Sequence, residues 1–250
     1  MAIQGELVGR YISGADVLVE SCGIVIHQPT VREVLQTGED DFLLSIHFLT
    51  KTEELFEEMR EGNSELASLS DFQILLVMYT NDIMLQTKLN LFFELVFPMY
   101  DVVLTETSID FKDKEDSIIK GRVNPFNFID LQNTLEDLFI PYSQKKEDYN
   151  PANDAAAEIA RKIKAGQAKR AKQQNKTSQS LLGSFCSVLS VGLQLDINIL
   201  FSYTLFQLFD IYMRFEKKQV EDQYIKMATV PFADTSNLEQ PDPWVENLYN

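Results

Sequence analysis

The chain has 250 residues, 45% of them hydrophobic, with 17 Phe and 9 Tyr; that is enough apolar surface for true cores and too much for a chain disordered throughout. Its formal net charge of -16 opposes long-range attraction to DNA, RNA or anionic lipid and favours basic partners or plain solubility. Two cysteines, Cys22 and Cys186, cannot frame a disulfide scaffold in a chain of this size and point to a reducing compartment.

In chain order, the start (Met-Ala-Ile-Gln-Gly-Glu) lacks a charged stretch followed by an apolar one, so we expect no secretory signal. Residues 23–28 form a β-branched run that predicts a strand. Pro29 is expected to preset the first turn of a helix over 30–36, stopped by Gly38. A helix over 39–49 follows, with acids in its first turn and Phe42, Leu43, Ile46 and Leu49 at helical spacing. Ser70-Asp-Phe-Gln73 has the spacing of a capping box, with Leu69 and Ile74 placed as its hydrophobic staple. The helix it opens carries the longest purely apolar run, residues 74–79, far too short to span a bilayer. Asn81-Asp82 opens a second greasy helix carrying Ile83, Met84, Leu89, Phe92, Phe93 and Val96 up to Pro98, and this pair predicts the core of the first half.

Beyond Pro98 the period changes. Residues 102–111 and 117–123 read as the strands of a hairpin around the polar loop 112–116. Asn124-Pro125 is expected to start a helix whose Phe128, Leu131, Leu135 and Leu138 lie on one face, with Pro141 closing it. Asn150-Pro151 repeats the device at the head of a basic, alanine-rich segment. Residues 154–176 hold seven Lys or Arg against two acids, a charge of +5 that leaves -21 for the rest. With only Ile159, Ile163 and alanines as an apolar stripe, this segment reads as a helical linker. A solvated linker is the first reading and an acidic protein partner the second. Nucleic acid comes last, because no aromatic is interleaved for base stacking.

The second half reads as all-helical. Leu181, Leu182, Phe185 and Leu189 mark a short helix ending near Gly192, and Leu205, Leu208, Phe209, Tyr212 and Phe215 the face of a longer one over 201–227. The tail through Leu238, Pro241, Pro243 and Trp244 is expected to be extended. The fold class is therefore α+β and mainly helical. An amino-terminal α+β domain with a small hairpin sheet (1–149) is followed by a basic helical linker (150–177) and a small all-α domain with an extended tail (178–250).

Motifs for chemistry are missing. The only histidines, His27 and His47, sit among apolar neighbours and read as satisfied, partly buried side chains. The zinc-protease, paired-cysteine, serine-hydrolase and phosphate-loop signatures do not occur. Two acidic runs, 39–41 and 113–116, lack the calcium-loop pattern and read as helix-end charge and a solvated turn. We expect no catalytic residue, no metal and no cofactor.

The order of elements resembles the tail assembly chaperones of tailed bacteriophages. The likeness rests on Val25-Ile-His-Gln-Pro-Thr-Val-Arg-Glu-Val34 followed by Gly38-Glu-Asp-Asp-Phe42, and on the Ala-Ala-Glu-Ile-Ala-Arg-Lys-Ile-Lys connector. Tyr203-Thr-Leu-Phe-Gln-Leu-Phe-Asp-Ile-Tyr-Met-Arg214 and Pro241-Asp-Pro-Trp244 extend it to the carboxyl end. Pro231-Phe-Ala-Asp234 departs from the glycine-bearing turn of that pattern. The resemblance implies a non-catalytic role in the host cytoplasm during virion morphogenesis. Such chaperones coat the tape-measure protein, help recruit tail-tube subunits, and leave before maturation; related proteins serve the baseplate hub. The expected partners are phage tail proteins (tape measure, tube or hub), with no membrane and no nucleic acid, and a homo-oligomer is compatible with this role. The alternative is a permanent structural component of the tail or baseplate. The carboxyl-terminal helix holds more apolar side chains than a small body needs, so Phe206, Phe209, Tyr212 and Phe215 are the expected partner contacts, with Arg214 at their polar rim and Trp244 from the tail.

Overall fold

Two helix starts show how closely local sequence is obeyed. At Ser70 the hydroxyl accepts the Gln73 N–H while the Gln73 side chain accepts the Ser70 N–H, the reciprocal box expected from the sequence. Thr30 and Glu33 build the same device forty residues earlier. Pro29 thus lies outside that helix, one residue before its cap, rather than in its first turn.

The computed structural model describes residues 5–50, 56, 57, 60, 66–140, 180–229, 241, 243–245 and 248. The basic segment 150–177 and both boundaries drawn around it lie outside the described residues. Among the described residues the order is α1 (Gly5–Ser13), β1 (Val17–Val19), β2 (Ile24–Ile26), α2 (Val31–Thr37), α3 (Glu39–Thr50), α4 (Asp71–Asn81) and α5 (Ile83–Val96). Then come β3 (Tyr100–Leu104), β4 (Ile109–Asp113), β5 (Ile119–Val123), α6 (Phe128–Phe139), α7 (Leu181–Leu193), α8 (Ile197–Leu200) and α9 (Leu205–Ala228). The fold is mainly helical α+β, with one two-stranded and one three-stranded antiparallel sheet.

Several expectations are corrected. The hairpin expected after Pro98 is a three-stranded meander, β3-β4-β5. Its first turn, residues 105–108, hides in a β-prone run because the turn itself has no Gly, Pro, Asn or Asp, and the Thr105 hydroxyl closes it by accepting the Ser108 N–H. Lys112 and Asp113 belong to β4 rather than to the loop. Helix α6 starts three residues after Pro125, because Asn124 is spent on an Asx turn, accepting the Phe126 N–H. Its expected stripe is right: Phe128, Leu131, Leu135 and Leu138 are all buried. Ile83 and Met84, read as core, are exposed in the first turn of α5, ahead of the buried Leu85, Leu89, Phe92, Phe93 and Val96. Elements α1, β1 and α8 carried no signal that we read.

The centre is built of rings. Phe42 on α3 packs against Phe92 on α5 (centroids 5.3 Å apart) and Phe139 on α6 (5.6 Å), and α4 joins through Phe72 against Phe128 (5.1 Å). Such edge and tilted pairs add specificity to the area they bury. The two sheets abut where β5 passes the β1–β2 turn: the Arg122 N–H bonds the Cys22 carbonyl at 2.9 Å. A Cβ on Gly121 would lie 2.3 Å from Ile24 Cγ2 and 2.7 Å from the Cys22 and Gly23 carbonyl oxygens, so only glycine fits.

Residues 180–229 pack into the same apolar core as residues 5–140. Tyr11 of α1 meets Phe206 of α9 edge-on at 5.2 Å, and Gln207 Nε2 donates to the Ile12 carbonyl at 2.7 Å. The N–H groups of Val31 and Arg32 bond the carbonyls of Tyr203 and Phe201 at 2.8 and 2.9 Å. The first two N–H donors of α2 are thereby satisfied by the loop before α9.

Candidate partner-binding surface

Helix α7 contains no charged side chain in its thirteen residues. Its inward face, Leu182, Cys186 and Leu189, is fully buried. Its start is capped twice: Ser180 Oγ accepts the Gly183 N–H at 2.8 Å, and a Glu39 carboxylate oxygen, from α3, accepts the Leu182 N–H at 2.7 Å. The helix runs one residue beyond Gly192 and ends on Gln194, which takes the left-handed conformation (φ 56°). Gly192 instead admits a neighbour: a Cβ there would lie 2.4 Å from the Phe215 ring.

The outward face of α7 is formed by Leu181, Ser184, Val188 and Val191 at i, i+3, i+7 and i+10. Leu181 and Val188 are half exposed and Val191 is 80% exposed. A water-facing helical stripe normally carries charge, and this one carries none in a chain with 24% charged residues. Beside it, α9 lays Tyr212 on Phe185 (4.4 Å between ring centroids) and Phe215 over Gly192, both rings partly buried against the core. The α7 stripe and these two rings make one apolar shoulder along the helix pair.

The six expected contacts divide three ways. Phe206 and Phe209 point into the core, Phe206 with no exposed surface and Phe209 against Phe185 at 5.6 Å, so in this conformation they close the chain's own packing. Tyr212 and Phe215 belong to the shoulder. Arg214 lies two residues, or roughly 200°, around the helix from Tyr212 and so leaves on another flank. There it pairs with the buried Asp210 at 3.0 Å and donates to the Trp244 carbonyl at 3.1 Å, while the Trp244 indole remains 39% exposed. The stripe of Leu181, Val188 and Val191 was missed from sequence; the absence of charge over residues 181–193 was its readable signal.

Most groups able to carry chemistry are engaged structurally. Burial pushes the Cys186 thiol up to about 11, with Glu39 adding to it, and burial also raises Cys22. Both therefore hold their protons at neutral pH and are poor nucleophiles. His27 Nδ1 lies 2.9 Å from Asp16 Oδ1. His47, read as partly buried, faces outward from α3, because the inward positions of that turn belong to Ile46 and Leu49. In the first acidic run Glu39 caps α7 and Asp41 pairs with Lys88 at 2.9 Å; in the second, Asp116 holds the β4–β5 turn through the Ile118 N–H and Lys120. Among the described residues no group of three or more His, Cys, Asp or Glu is placed to hold a metal, and no helix is long and apolar enough to cross a membrane.

In comparisons with known proteins the chain matches no family model, no curated protein and no solved structure. Fold and surface together define a mainly helical α+β protein carrying an uncharged helix-pair shoulder.

Proposed function

We propose that this chain is a non-catalytic assembly chaperone of tailed bacteriophages. It acts in the host cytoplasm and holds helical segments of a tape-measure or hub protein on the shoulder made by α7 and α9. The observation that carries the proposal is the exposed, charge-free stripe Leu181–Val188–Val191 beside the partly buried rings of Tyr212 and Phe215. An apolar helix of a client laid along such a shoulder buries both partners' greasy faces without desolvating a charge. The client class is what the resemblance to tail assembly chaperones implies.

The test uses surface variants of the full chain. Removing residues 178–250 would also remove Leu182, Leu205, Phe206 and Leu208 from the core, so a deletion would confuse binding with folding. Val188→Glu with Val191→Glu leaves the buried face intact and places two charges where the client helix would lie. A pull-down with the phage's tape-measure or hub protein should lose the client while the thermal melt stays unchanged. Retention of the client would sink the shoulder as its site. Composition of purified particles then separates a chaperone, absent from finished virions, from a permanent tail component.

A further inference from the structure

The corner between β5 and α6 displays a bare aromatic. Phe126 is 94% exposed, the most exposed large apolar side chain among the described residues, and it sits in a turn with little freedom to fold back. Asn124 Oδ1 accepts the Phe126 N–H at 2.9 Å, and the Asn124 N–H donates to Asn127 Oδ1 at 2.7 Å. Asn127 Nδ2 donates to the carbonyls of Ser21 (2.9 Å) and Arg122 (3.0 Å), tying the turn to the β1–β2 hairpin and to β5. Pro125 restricts the residue before the ring. The Phe128 N–H bonds the Asn124 carbonyl at 3.0 Å, so the turn already winds helically and Ile129, 55% exposed, follows Phe126 at i+3.

The fringe of this knob is acidic. Asp130 is exposed one residue beyond Ile129. Glu20 is exposed next to Ser21, whose carbonyl anchors the turn. Asp130 follows Phe126 at i+4, on the same side of the helical turn, and Glu20 lies one residue from the Ser21 carbonyl that Asn127 holds. Arg122, which precedes the turn, is held by Asp110 on β4 through contacts of 2.7 and 3.0 Å.

We propose that Phe126, with Ile129 beside it, is a preformed plug for an apolar pocket on a partner protein whose rim carries Lys or Arg. An aromatic carried on a backbone already fixed by hydrogen bonds loses only its side-chain rotamer freedom on docking and is the usual centre of a binding hot spot, and acids around it select a basic rim. A second copy of this chain, at -16, is electrostatically the wrong occupant. This surface shares no residue with the α7–α9 shoulder, so each is tested without the other.

The experiment places the photo-crosslinking residue p-benzoylphenylalanine at position 126 of the full chain in its native cellular setting and maps the adduct by mass spectrometry. The expected result is one dominant adduct at an apolar site flanked by Lys or Arg. Its yield should fall about tenfold when Glu20→Lys and Asp130→Lys are combined, and again when salt is raised to screen the rim. Phe126→Ser in the unlabelled chain should abolish co-purification of that same protein while leaving the melting temperature unchanged, since the ring packs on nothing. No adduct, an adduct to a second copy, a site without basic neighbours, or a yield indifferent to the charge reversal would each overturn the proposal.

Discussion

A carboxylate oxygen of Glu39 accepts the backbone N–H of Leu182 at 2.7 Å, joining residues 143 positions apart at the first turns of two helices, α3 and α7. The positive ends of both helix dipoles meet on one buried side chain. Glu39→Ala leaves a buried donor at the head of α7 without its acceptor and should cost about 1.5–3 kcal/mol in chemical denaturation. Glu39→Gln keeps an acceptor and should cost less than half as much. Equal stability of all three proteins would mean the contact contributes nothing.

Phe92 and Leu208 are both fully buried, on α5 and α9. Phe92→Ala should cost about 3–5 kcal/mol and Leu208→Ala about 2–5 kcal/mol. Because both belong to one core, each variant should lower a single melting transition rather than one of two.

Gly121 and Gly9 make a matched pair. Alanine at 121 drives its Cβ into Ile24 and two backbone carbonyls, which cannot swing aside, and should cost about 3 kcal/mol. Alanine at 9, inside α1 with nothing within 4 Å, should stabilise by about 0.5–1 kcal/mol through helix propensity. Urea midpoints of the two variants moving in the same direction would refute the contact argument.

Burial, with Glu136 adjacent, pushes the Asp137 carboxyl from its ordinary 3.8 up to about 6. Between those values the folded protein binds a proton that the unfolded chain has released, so this group's contribution to stability falls as pH rises from about 4 to about 6 and is flat above. Asp137→Asn should therefore raise stability above pH 6, with the gain vanishing below pH 4. Thermal melts over that range check the sign; a gain confined to acid pH would refute it.

Cleavage among the Lys and Arg residues of 150–177 should leave two pieces that still elute together, because α9 and the loop before it are bonded to α1 and α2 through Gln207, Tyr203 and Phe201. Separation of the pieces on gel filtration without denaturant would show that those contacts are too weak to hold the halves.

What could be read along the chain was whatever is decided within a few residues. The capping box at Ser70, the Asp82 cap of α5, and the face of Phe128, Leu131, Leu135 and Leu138 all rest on i to i+3 or i+4 neighbours, which sequence spacing reports directly. The mainly helical α+β class followed from such local signals. The break at 105–108 escaped because a threonine hydroxyl replaces the usual turn residues there.

Tertiary structure decided which apolar faces meet one another. Phe206 and Val191 carry no label that says one packs on Tyr11 and the other faces water; that depends on α1 lying beside α9, a contact between residues nearly two hundred positions apart. The same holds for Glu39, read as end charge for its own helix and found capping α7 as well. Local sequence sets each helix and its stripe, whereas long-range burial chooses between inside and outside, because hydrophobic attraction has no direction until neighbours supply one.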